Sequence, residues 1–243
     1  MPDLWVAVRA ALFYFLILGC GIAFLGWRTD ASVATTPLIS RLWLIEVVLC
    51  ALCLYYILTG FGWAGAGFGR LRWRELVWLV PSVVVLATMT AGLLPVMLRQ
   101  PLATSQWEML AAIAGTSLLI GFSEEVMFRG ILLRGALARF TISPAILITA
   151  VAFSLLHLMD GNARQPVGNT LQELGFTFLM GLGLAPIALR IGSLWPLIIW
   201  HGLWDVVVFS SDALGVLHPF ALPGMLIQVV VGLMVWRSEL RRS

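Results

Sequence analysis

Lysine is absent from the 243 residues, and charge of either sign is scarce, with arginine and the acids together making up 11% of the chain. Soluble domains carry about 25% charged residues, so a water-soluble domain is excluded. The net charge of +3 would otherwise point to nucleic acid. The arginines, however, are scattered at the ends of apolar runs, which marks membrane topology and excludes that partner. No internal repeat occurs, and the one acidic stretch has no second copy, which argues against an inverted-repeat transporter. Cysteine is limited to Cys20, Cys50 and Cys53, all in apolar runs. The Cys50-x-x-Cys53 spacing reads as small apolar side chains in lipid, ahead of a redox or metal pair. No cleaved leader is evident. Ile17-Leu-Gly-Cys20 faintly resembles a lipoprotein cleavage site, but the apolar run continues to Leu25, so a retained first span is expected, with processing at Cys20 as the alternative. No Gly-Lys-Ser/Thr follows the glycine-rich segment 59–69, and no strand precedes it. A phosphate cradle is therefore excluded and a flexible connector is expected.

What the chain has is length in apolar runs: it is 60% hydrophobic, with a mean hydropathy of +0.98. A span needs about 20 apolar residues. This reading predicts an all-α, polytopic transmembrane helical bundle forming a single domain, 1–243. It has eight spans: 8–27, 38–58, 76–98, 107–133, 143–158, 171–189, 194–209 and 220–236. Arg9, Arg70, Arg72, Arg74, Arg134, Arg139, Arg190, Arg237, Arg241 and Arg242 then fall on one side, and Arg28, Arg99 and Arg164 on the other. The excess of positive charge on the first side puts both termini in the cytoplasm. In the second span, Arg41 and Glu46 are five apart, a poor spacing for an ion pair on one helix. Arg41 is read as an interface anchor and Glu46 as a carboxylate facing other helices.

The fourth span contains Gly121-Phe-Ser-Glu-Glu-Val-Met-Phe-Arg-Gly130. Charges at mid-membrane cost roughly 2.5–3.5 kcal/mol each on insertion scales, so Glu124, Glu125 and Arg129 need a use. Glu125 and Arg129 are four apart and share a helix face. Glu124 is turned about 100° away from Glu125. Arg129 therefore neutralises Glu125, a structural pair, and Glu124 is left to point elsewhere. The fifth span ends Phe153-Ser-Leu-Leu-His157. Glu124 lies sixteen residues before Phe140, and His157 lies fourteen after Ser143. On antiparallel helices of equal rise the two reach nearly the same depth, with Phe153 packed behind His157. The seventh span carries His201 and Asp205, four apart on one face, with Gly202 allowing close approach. The third histidine, His218, sits in a loop before Pro219.

Glu124-Glu-x-x-x-Arg129, Phe153-x-x-x-His157 and His201-x-x-x-Asp205 resemble, in order, the three motifs of the CPBP intramembrane proteases, also called the ABI or type II CAAX prenyl endopeptidase family. Ile191-Gly-Ser-Leu-Trp-Pro196 resembles the family's approach to the third motif. The resemblance covers about 107–209, the expected catalytic core. The third motif ends in Asp205 where the family more often has Asn.

The resemblance implies peptide-bond hydrolysis inside the membrane, with Glu124 and His157 activating a water and His201 and Asp205 facing the scissile carbonyl. Glu125, Arg129 and Phe153 are support. The implied substrate is a membrane-associated peptide or protein, prenylated or not: a CAAX-like tail, a leader peptide or a sorting tail. The implied setting is a prokaryotic inner membrane. The chemistry agrees: amide hydrolysis needs a base and donors at the developing oxyanion. No cofactor is expected, although Glu124, His157, His201 and Asp205 are also types that ligate zinc. A serine mechanism through Ser123 or Ser154 is a third option. The competing class is a transporter or immunity-type scaffold whose cluster carries protons.

Overall fold

The computed structural model describes residues 2–29, 39, 41–99, 101–159 and 167–241. Among these, regular structure is helical apart from one isolated antiparallel bridge, Phe68 to Ser193. The helices are α1 (Leu4–Thr29), α2 (Trp43–Tyr56), α3 (Gly62–Gly65), α4 (Val80–Arg99), α5 (Thr104–Glu124), α6 (Leu133–Leu137), α7 (Ile142–Leu156), α8 (Val167–Ile191), α9 (Trp195–Ala213) and α10 (Ala221–Leu240). Helices suit an apolar chain in lipid because they satisfy every backbone group within the segment. Leu12, Leu16, Val47, Val83 and Val230 are exposed, the outward apolar surface that a bilayer covers.

Six stretches are long and apolar enough to cross a membrane: Leu4–Leu25, Trp43–Gly65, Trp73–Arg99, Thr104–Leu137, Thr170–Ile191 and Ala221–Leu240. The protein is an integral, multi-pass helical bundle. The eight expected spans also include α7 and α9. At 15 residues, α7 is about 22 Å long, short of the roughly 30 Å hydrocarbon core. α9 is diluted by the polar residues it directs inward. Arg164, Arg242 and the expected start of the second span at Leu38 lie outside the described residues.

α5 and α9 lie against each other because glycine stands on both sides of the contact. A Cβ at Gly121 would sit 2.5 Å from the amide nitrogen of Gly202, and small residues are what allow such approach in membrane bundles. Gly121→Ala is expected to wedge the pair apart and destabilise by about 1–3 kcal/mol, read as a lower unfolding midpoint in detergent. An unchanged midpoint would contradict this packing.

The glycine-rich segment is not the flexible connector expected from composition. Ile57–Phe61 is π-helical and runs into α3. The chain then turns at Gly67 (φ +91°), where a side chain would meet Arg134 and Leu194. Leu194 N donates to Gly67 O at 3.0 Å and Arg72 N to Ile191 O at 3.0 Å. Glycine is used here for close backbone approach, so the segment clasps the turn between α8 and α9. Arg72 also donates to Leu189 O, and Arg190 pairs with Glu75 and Glu239. With Asp3 against Gly135, these contacts bring both terminal helices to one end of the bundle.

Candidate active site

α5 ends at Glu124, and Glu125–Leu132 continues as a fully buried π-helix. π turns are rare and concentrate at functional sites. The first step of this one is still α-helical: Glu124 (φ −72°, ψ −45°) and Glu125 (φ −64°, ψ −39°) keep ordinary helical dihedrals. The sequence reading turned Glu124 away from Glu125; in the structure both acids reach the same imidazole. His201 Nδ1 lies 3.0 Å from Glu125 Oε1, and His201 Nε2 lies 3.7 Å from Glu124 Oε2 and 3.6 Å from Asp205 Oδ2. The close α5–α9 contact puts His201 between the two carboxylates, one at each ring nitrogen.

Arg129 NH1 is 3.0 Å from Glu125 Oε1, as the spacing predicts. Glu125 therefore serves both Arg129 and His201, and it is not structural alone. It holds Nδ1 of His201. The Arg129 guanidinium carbon also lies 4.0 Å above the Phe153 ring. Phe153 lies 5.0 Å from His157 and 6.4 Å from His201 between ring centroids. So Phe153 backs both histidines and caps the arginine.

His157 stands at the C-terminal end of α7. Its Nδ1 is 2.9 Å from Phe153 O. A carbonyl only accepts, so Nδ1 carries a proton, and when the ring is neutral Nε2 is its basic nitrogen. Glu124, Glu125, Arg129, Phe153, His157, His201 and Asp205 all line one cavity of about 290 Å³. Three separate helices deliver the ionisable residues predicted from the sequence to one place.

Glu46 and Glu173 line the same cavity. The sequence reading turned Glu46 toward other helices but gave it no part in the site, and it missed Glu173. The signal was available for both: each is a carboxylate in or at the edge of an apolar run, where charge is expensive. The two serine hydroxyls considered as nucleophiles are engaged elsewhere. Ser123 Oγ donates to Glu46 Oε2 at 2.7 Å and Ser154 Oγ to Leu174 O at 2.8 Å. Neither pairs with a histidine. Among the described residues no three His, Cys, Asp or Glu side chains are placed to hold a metal ion. Glu124, His157, His201 and Asp205, the residue types that could ligate zinc, are not such a group.

Residues 105–207 match the family model of type II CAAX prenyl endopeptidase Rce1-like proteins. Over this segment the chain is similar to that family. No curated protein and no solved structure matches the chain. The Rce1-like segment runs from α5 into α9 and holds all three motifs, whereas α1, α2, α4 and α10 lie outside it. The family implies CAAX-type endopeptidase activity in the membrane and a membrane-associated protein substrate.

Proposed function

We propose that the protein hydrolyses a peptide bond near the carboxyl end of a lipid-anchored, CAAX-like substrate, with water activated by Glu124 and His157. The observation that carries this reading is the placement of His201 between Glu125 on one nitrogen and Glu124 and Asp205 on the other, on the wall of a cavity shared with His157. The separations of 3.6 and 3.7 Å at Nε2 exceed hydrogen-bond length, so these are charge contacts and Nε2 can turn to a substrate oxygen.

In this mechanism a water oxygen attacks the scissile carbonyl carbon as its proton passes to Glu124. His157 Nε2 accepts a hydrogen bond from the same water and orients it. Both nitrogens of His201 face carboxylates, the arrangement suited to an imidazolium with two donors. When substrate enters, Nε2–H turns to the developing oxyanion, the kind of interaction that contributes most in a water-poor site. Collapse of the tetrahedral intermediate breaks the C–N bond, and Glu124 returns its proton to the leaving amine. Asp205 keeps the imidazolium balanced, and Glu125 with Arg129 fixes its orientation.

The test is cleavage of a prenylated CAAX peptide by purified protein in liposomes, with the released C-terminal fragment identified by mass. Absence of any fragment under conditions where the protein remains folded would sink the proposal. Activity is further expected to survive prolonged treatment with a membrane-permeant chelator. Loss of activity that zinc restores would replace the Glu124–His157 scheme with a metal-bound water.

A further inference from the structure

Three side chains on one face of α2 grip the last turn of α5. Glu46, Cys50 and Cys53 are spaced i, i+4, i+7, a single helical stripe. Glu46 Oε2 accepts from Ser123 Oγ at 2.7 Å, Cys50 Sγ donates to Leu119 O at 3.5 Å and Cys53 Sγ donates to Ser123 O at 3.4 Å. The cysteines are thus more than lipid-facing filler: their thiols meet carbonyls just where α5 gives way to the π-helix and its backbone bonds change register.

From α1, the hydroxyl of Tyr14 lies 2.9 Å from Ser123 Oγ. A serine hydroxyl has one proton. With that proton on Glu46, Tyr14 is the donor, and the line runs Tyr14 to Ser123 to Glu46. Tyr14 and Ser123 are fully buried and Glu46 is 3% exposed. Buried polar networks of this kind rigidify what they hold when their members are satisfied. Ser123 directly precedes Glu124, and Glu46 lines the cavity that holds Glu124, His157 and His201. Tyr14 and Glu46 both lie outside the Rce1-like segment.

We propose that Glu46 is a positioning residue for the hydrolysis: through Ser123, and with Tyr14 behind it, it fixes the turn that aims Glu124 at the substrate. The proposal rests on the endopeptidase reading. α1 and α2 then complete the site of a segment that does not contain them.

The experiment compares Glu46→Ala, Glu46→Gln, Ser123→Ala and Tyr14→Phe in the liposome cleavage assay, with unfolding midpoints measured alongside. Since a displacement of the order of 1 Å can cost about 100-fold, Glu46→Ala and Ser123→Ala are expected to lower kcat by about 10- to 100-fold at nearly constant KM. Glu46→Gln keeps an oxygen for Ser123 and is expected to return most of the lost kcat. Tyr14→Phe removes one hydroxyl only and should give a smaller loss of kcat, keeping the test open if Glu46→Ala does not fold. A rise in KM at constant kcat would overturn the proposal. So would Glu46→Gln as inactive as Glu46→Ala.

A second measurement needs no cleavage: mass-spectrometric labelling of Glu124 by a hydrophobic carbodiimide. Labelling is expected to change several-fold in Glu46→Ala and to stay near wild type in Glu46→Gln. Equal labelling in all three proteins would overturn the positioning role. A shifted label in a protein that cleaves nothing would uphold the positioning role and sink the endopeptidase reading.

Discussion

Glu124→Gln is expected to lower cleavage of a membrane-tethered CAAX reporter by about 10²- to 10⁴-fold, the usual contribution of a positioned acid–base group, with little change in unfolding midpoint. Glutamine has nearly the same shape and keeps an oxygen toward His201. It cannot take the proton of the attacking water or return one to the leaving amine. Glu124 is 7% exposed and its Oε2 is 3.7 Å from His201 Nε2, a separation long enough that losing its charge should leave the fold intact. The measurement is initial cleavage rate at saturating substrate, on protein shown to be folded by its thermal transition. Wild-type cleavage by Glu124→Gln would remove Glu124 from the chemistry.

Arg129→Ala should have the largest effect on stability, about 3–5 kcal/mol, the usual result of removing one partner from a buried ion pair. Arg129 is 2% exposed, Glu125 is fully buried, and 3.0 Å separates NH1 from Oε1. The substitution strands the Glu125 carboxylate with His201 alone and strips the cation from the Phe153 ring, 4.0 Å below it. Against a total stability of roughly 5–15 kcal/mol for a typical domain, that is enough to unfold much of the protein at working temperature. Glu125→Gln is expected to destabilise too. It should also reduce activity, because Glu125 holds His201 Nδ1 at 3.0 Å. A double substitution, Glu125→Gln with Arg129→Met, should be less destabilised than the sum of the single ones, since neither charge is then left alone. Strict additivity in detergent unfolding would show that the pair is not coupled.

The charged positions were legible in the sequence because ionisable residues are so few and the lipid penalty so large. Glu124, Glu125 and Arg129 stand out in an apolar run, and His157 and His201 are two of only three histidines. The depth count along the hairpin also brought Glu124 and His157 to one cavity. An α-helical wheel sets Glu124 and Glu125 on different faces, and their backbone dihedrals keep that divergence. Only the placement of α9 shows that the two acids meet again at His201, one at each ring nitrogen. The segment 59–69 misled for a related reason. Glycine in sequence marks permissiveness, and only the neighbouring chain shows whether it is used for freedom or, as at Gly67, for close approach.

By itself, the sequence determined the solvent and the cast: scarce charge and long apolar runs require a helical membrane bundle, and three spaced motifs name the ionisable groups that share one cavity. The tertiary structure decided who touches whom. His201 pairs with Glu125 at one nitrogen and faces Glu124 and Asp205 at the other, Glu46 reaches the cavity from a helix outside the matched segment, and Cys50 and Cys53 bind the carbonyls of α5. The physical reason is range. Hydropathy and residue spacing are local properties of one helix, whereas a contact between helices depends on where a glycine lets two backbones meet and where a helix changes its register.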